Sequence, residues 1–163
     1  MPQPVTITFL EMTDPAQLRP KPFPSGAEVV RIVRPSLDLN RFFYTTVGKD
    51  YSWTDRLPWS DDQWLAYLNE PDVETWLLFA NGEQAGYFEL GPEADGAIDI
   101  RYFGLLPEYT GKGLGGPLLT VAVNRPWQMG AKKVTVNTCT LDHPAAIGHY
   151  LARGFQIVGR KEK

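Results

Sequence analysis

The stretch "EYTGKGLGGP" places four glycines, Gly111, Gly113, Gly115 and Gly116, within six positions. Such a cluster costs chain entropy, so it suits a backbone that side chains would obstruct. Before it stands an apolar run, "AIDIRYFGLL"; after it comes "PLLTVAVNRPWQMG", with Leu118, Leu119, Ala122 and Val123 at helical spacing. A turn of this kind between strand and helix presents free N–H groups at the positive end of a helix. That is an anion site, best suited to phosphate. Two familiar phosphate motifs fit poorly. "GKGLGGP" lacks the Lys-Ser/Thr pair of a Walker loop. Gly111, Gly113 and Gly116 satisfy G-x-G-x-x-G, but "VTVNTCT" stands where a dinucleotide fold wants an acid, about twenty residues on. A merely flexible loop would not be flanked by so well patterned a strand and helix.

The elements that must position this loop can be followed along the chain. "EVVRIVRP" (28–35) reads as a strand ended by Pro35. Ser36 is an N-cap for a helix that Gly48 terminates. Ser60 opens a second helix with a capping box, "SDDQ", and an apolar stripe of Trp64, Leu65 and Leu68. "TWLLFANGEQAGYFEL" is a hairpin turning at Asn81-Gly82, and "AIDIRYFGLL" (97–106) adds a third antiparallel strand. The helix after the glycines should be kinked or shortened by Pro126, which cannot bond the Ala122 carbonyl. "KKVTVNT", the helix "PAAIGHYLAR" with Gly154 as its C-cap, and "FQIVGR" follow. The expected class is α+β: an antiparallel meander, then strand–helix–strand–helix–strand.

At 163 residues the chain is expected to form one domain, 1–163, with residues 1–26 as an N-terminal strand and a proline-rich connector. A net charge of −3 without a basic run gives no electrostatic case for nucleic acid. "MPQPVTITFLEMTD" lacks the basic and apolar regions of a signal peptide, and the apolar runs are too short for a membrane span. The cytoplasm is the default expectation. Cys139 is the single cysteine, so neither an internal disulfide nor a metal cluster is expected.

The glycine loop resembles the coenzyme A loop of the GNAT superfamily of N-acetyltransferases, Arg/Gln-Gly-x-Gly-x-Gly/Ala after a strand ending in x-Pro. It stands here as Thr110-Gly111-Lys112-Gly113-Leu114-Gly115, with Pro107 upstream. "HPAAIGHYLARGF" resembles a second motif of that family, Asn-x-x-Ala-x-x-x-Tyr-x-x-x-Gly-Phe, through Ala146, Tyr150, Gly154 and Phe155. The likeness spans about 73–160, and more loosely the strand and helices before it. Thr110 and His143 depart from the family's Arg/Gln and Asn. One strand follows Gly154 where the family usually has two, so "VTITFL" or a partner subunit, as in a homodimer, could complete the sheet.

The resemblance implies a splayed mixed sheet and acetyl-CoA as cosubstrate, without a metal. Leu105 and Leu106 would offer main-chain groups to the pantetheine arm. Gly111, Lys112, Gly113, Leu114, Gly115 and Gly116 would cradle the pyrophosphate, and His143 would contact the coenzyme. Transfer needs a neutral amine, a stabilised oxyanion and a proton for the leaving thiolate. Tyr150 would be the proton donor, or else a core aromatic. Asp99, or Glu89 on the neighbouring strand, would be the base acting through water, or else a surface carboxylate. Cys139 could carry an acyl group, but a small buried residue with direct transfer is the expectation. His149 should face elsewhere and be exposed. Tyr44, Tyr51, Trp53, Trp59 and Trp64 could form an aromatic wall, or else be core, as is expected of Trp64, with Asp55 or Asp50 attracting the ammonium of a small-molecule or peptide amine. A non-catalytic acyl-CoA-binding or sensor domain is the rival reading.

Overall fold

The computed structural model describes residues 5–162. Its seven strands are β1 (Thr6–Met12), β2 (Ala27–Ile32), β3 (Glu74–Ala80), β4 (Glu83–Pro92), β5 (Ala97–Leu105), β6 (Lys133–Cys139) and β7 (Gln156–Glu162). Four helices complete it: α1 (Leu37–Gly48), α2 (Asp61–Leu68), α3 (Gly115–Gln128) and α4 (Ala146–Arg153). The strands form one sheet in the order β2-β3-β4-β5-β6-β1-β7. Every neighbouring pair is antiparallel except β5 and β6. The expected mixed α+β class is what the chain adopts.

Local signals fix much of this. The Ser36 side chain accepts from the Leu39 N–H, and Ser60 and Gln63 close a reciprocal capping box. Asn81 and Gly82 take φ of 51° and 83°, the left-handed pair that a two-residue hairpin turn requires. One face of the sheet packs on α3 and α4 through Leu10, Met12, Val134, Leu118 and Phe155. The other face meets α1 through Phe43, Val47, Leu77 and Tyr87.

One expectation is corrected and one is resolved. Pro126 does not end α3, which runs on to Gln128; the missing donor falls so near the C-terminus that only the final turn is affected. Of the two sources expected for the missing strand, the N-terminal segment supplies it. β1 inserts between β6 and β7, antiparallel to both, with Ile7 opposite Cys139 on one side and Lys161 on the other. Alternate residues of β1 (Thr8, Leu10, Met12) are buried, which explains why so short a segment holds this position.

Candidate active site

β5 and β6 pair over only three residues, Ala97–Asp99 against Lys133–Thr135, and then diverge. The divergence opens a cleft of about 950 Å³ between Ile100–Leu105 and Val136–Cys139. Asp99 sits where the strands part. Thr135 Oγ1 donates to its Oδ1 at 2.6 Å, fixing the carboxylate. Burial pushes the Asp99 carboxyl up to about 6, against the opposing effect of the Thr135 hydrogen bond. The group is therefore ionised at neutral pH, yet basic enough to accept a proton.

Tyr150, from α4, lines the same cleft and packs edge-on against Phe155. Burial, then the charges of Asp142 and Asp99, hold its phenol well above the ordinary value. It stays protonated at any working pH.

At the far end of the cleft stands the N-terminus of α3. No side chain caps it, and Pro117 at its third position has no N–H to satisfy, so the Gly115 and Gly116 amides are left for a ligand. Gly111 and Gly113 have φ of 74° and 78°, and a Cβ on either would meet open space. Thr110, the departure from the family pattern, supports the loop internally: its hydroxyl donates to the Pro107 carbonyl at 2.8 Å.

Several predicted residues meet here. Leu105, Gly111, Gly113, Leu114, Gly115, Gly116, His143, Tyr51, Trp53 and Asp55 all line the cleft with Asp99 and Tyr150. Three others do not. Leu106 is buried and its N–H donates to Ala85 O at 2.8 Å, because it pairs towards β4. Lys112 lies over the Tyr109 ring at 5.5 Å. Trp59 packs 4.8 Å from the Arg56 guanidinium and edge-on against Trp64. The irregularity in β5 lies between its Ile100 and Tyr102 positions, upstream of Leu105.

Part of the aromatic wall, at Trp59 and Trp64, is thus occupied by the chain's own cation, while Tyr51 and Trp53 stay on the cleft. Arg56 is enclosed by the rings of Trp59, Trp64, Tyr67 and Tyr102, and it donates to both Glu89 oxygens at 2.8 and 2.7 Å. Tyr67 also donates to Glu89, at 2.6 Å. Glu89 is buried and both its oxygens are engaged, which removes it from the candidate bases. The bidentate tie instead anchors the loop after α1 to the sheet.

Residues outside the sequence reading also contribute. Asp142 accepts from Thr138 and from the Cys139 N–H, and more weakly from the Trp53 indole at 3.4 Å. It thereby links the loop after α1 to the loop after β6 across the mouth of the cleft. His143 precedes α4 instead of lying on it; its Nδ1 accepts from the Ala145 N–H, and its ring meets Tyr51 edge-on. Cys139 is only partly buried and lines the cleft. His149 is exposed, as expected, but it too borders the cleft, next to Gly115.

Comparison with known families gives a match to the acetyltransferase (GNAT) family over residues 37–155. The chain belongs to the GNAT family. Among solved GNAT structures, the GCN5-related N-acetyltransferase of Sphaerobacter thermophilus superimposes with a TM-score of 0.71 at 21% identity, covering 98% of this chain and 52% of that one. The Kribbella flavida GCN5-related N-acetyltransferase gives 0.65 at 21% identity, over 94% of this chain and 56% of the other. The ribosomal-protein-S18-alanine N-acetyltransferase of Escherichia coli gives 0.62 at 18% identity, over 82% and 79%. This chain spans about half the length of the first two. No curated protein matches it. Among the described residues, no helix is long and apolar enough to cross a membrane.

Proposed function

We propose that this GNAT domain transfers an acetyl group from acetyl-CoA directly to an amine. One observation carries the reading: a single cleft joins the uncapped N-terminus of α3 to Asp99 and Tyr150. A pyrophosphate suits the first end, where amides and helix dipole favour anions. The gap between β5 and β6 suits an extended arm, and Leu105 borders it.

Acetyl-CoA supplies an activated acyl group as a thioester. Asp99 removes the proton that an ammonium acceptor must lose, directly or through water; with its carboxyl near 6, it is in the basic form at pH 7 and above. As the amine nitrogen bonds to the acyl carbon and the carbon–sulfur bond breaks, Tyr150, on the same cleft, gives its phenolic proton to the departing sulfur and regains one from solvent. The acceptor enters past Tyr51, Trp53 and Asp55, and Asp55 is the exposed carboxylate there that attracts a cation. A small-molecule or peptide amine meets these requirements. Transfer is direct because Asp99 and Tyr150 supply both proton-handling groups without a covalent stage on Cys139.

Incubation with acetyl-CoA and a panel of amines, read by mass spectrometry of the acceptors, tests the proposal. An acetylated amine formed only with active protein supports it. Coenzyme binding with no product from any amine would favour the acyl-CoA sensor instead.

A further inference from the structure

The four glycines of the loop serve two different purposes. Gly111 and Gly113 are required by their left-handed backbone. Gly115 and Gly116 do not take positive φ and are required by their neighbours. A Cβ on Gly115 would come within 2.8 Å of His149 Cε1; one on Gly116 would come within 2.9 Å of Lys21 Cδ and 3.3 Å of Arg153 Nη1. The first turn of α3 lacks side chains where three basic groups close on it.

His149 and Arg153 stand one turn apart on α4. Lys21 comes from the connector between β1 and β2, outside the segment 37–155 that matches the GNAT family. The insertion of β1 explains its position. Glu11 pairs with Gln156, so the chain leaves β1 beside the start of β7, at the end of α4. The Arg19 N–H then donates to the Arg153 carbonyl at 2.8 Å, and the Lys21 N–H donates to Thr120 Oγ1 at 3.0 Å. These bonds hold the connector across the ends of α3 and α4.

Lys21, Gly116, His149 and Arg153 line a second cavity of about 360 Å³. Lys21, Gly116 and His149 border the main cleft as well, so the two adjoin. Among the described residues, none of the three basic side chains joins an ion pair. Arg153 Nε and Nη1 are buried with no hydrogen-bond partner. Buried donors of a cation without an acceptor are costly, and here they sit beside the Lys21 ammonium at the positive end of a helix; burial and the neighbouring Arg153 and Lys21 keep His149 neutral, a hydrogen-bonding group and not a third charge. An anion entering the cavity would offset this clustered positive charge and offer the Arg153 guanidinium an acceptor beside it.

We propose that Lys21, His149 and Arg153 form a pocket for a phosphate of the nucleotide end of coenzyme A, which makes the N-terminal connector part of the donor site. The proposal rests on acetyl-CoA being the donor. The phosphate could be the pyrophosphate or the ribose 3′-phosphate; both are multiply charged acceptors.

Lys21→Met keeps the stem over Gly116 and removes the charge. Calorimetry would compare coenzyme A and dephospho-coenzyme A, which lacks the 3′-phosphate, at low and high salt. Wild type should bind coenzyme A, and Lys21→Met should bind it roughly 5- to 30-fold more weakly at low salt, between the range of an exposed ion pair and that of a charge-assisted hydrogen bond. The loss should shrink at high salt. A loss confined to coenzyme A assigns the 3′-phosphate; a loss shared by dephospho-coenzyme A assigns the pyrophosphate. Either supports the pocket. Equal affinity of the folded variant, or a loss unaffected by salt, overturns it while leaving the donor reading intact. Wild type that binds neither compound overturns both.

Discussion

Replacing Asp99 by Asn should make the protein more stable at pH 8 and much less active. The carboxyl is raised from its ordinary 3.8 to about 6, chiefly by burial. At ~1.4 kcal/mol for each tenfold change in proton affinity, ionising it in the folded protein costs ~3 kcal/mol relative to the unfolded chain. The sign follows from the raised value. Between about 4 and 6 the folded state holds a proton that the unfolded state has lost, so stability falls as pH rises through that window. Above it the full cost is present, and at pH 4 less than ~1 kcal/mol of it remains. Asn keeps an acceptor for Thr135 and never ionises. Urea denaturation should therefore show Asp99→Asn gaining ~2 kcal/mol more over wild type at pH 8 than at pH 4. This differential cancels any fixed cost of burying the amide. Turnover should fall by roughly 10²- to 10⁴-fold, as for loss of a general base, and wild-type kcat/KM should rise with pH through about 6. An equal stability difference at both pH values would refute the burial argument. Undiminished turnover, with chemistry rate-limiting, would refute the catalytic one.

Tyr150→Phe keeps the packing against Phe155, so kcat should fall roughly 10- to 1000-fold while calorimetry shows unchanged coenzyme affinity. Arg56→Met strands the buried Glu89 carboxylate and should cost ~3–5 kcal/mol in urea denaturation; a loss below ~1 kcal/mol would mean that the tie does not hold the loop. Asp55→Asn should raise the acceptor KM in steady-state kinetics without altering coenzyme affinity, and an unchanged KM would move acceptor selection away from this loop.

The residues that act locally were legible in the sequence. Ser36, Ser60 and the Asn81-Gly82 turn set their elements through contacts within a few residues, and all three do so in the structure. The strand–glycine–helix order likewise placed the α3 terminus. What depended on distant partners was not legible. "VTITFL" was legible as a strand that could complete the sheet, but its slot between β6 and β7 was not, and Lys21 reaches α3 only because of that insertion. Trp59 looked like part of an acceptor wall because aromatics beside an acid suit any cation; the cation proved to be Arg56, three residues earlier, neutralised by Glu89 from another strand. The helix expected from Pro144 begins at Ala146, which leaves His143 in the loop before it. Asp142 carried one weak signal, a short acid in the turn "LDHP", a type that commonly bonds its own neighbouring backbone.

Direct transfer within one cleft is tested most directly by initial rates measured over a matrix of acetyl-CoA and acceptor concentrations, with coenzyme thiol release as the signal. Thiol release should require the amine, match acetylated product one for one, and give intersecting double-reciprocal lines that Cys139→Ala leaves intact. Parallel lines abolished by Cys139→Ala, or no amine-dependent release at all, would contradict the account.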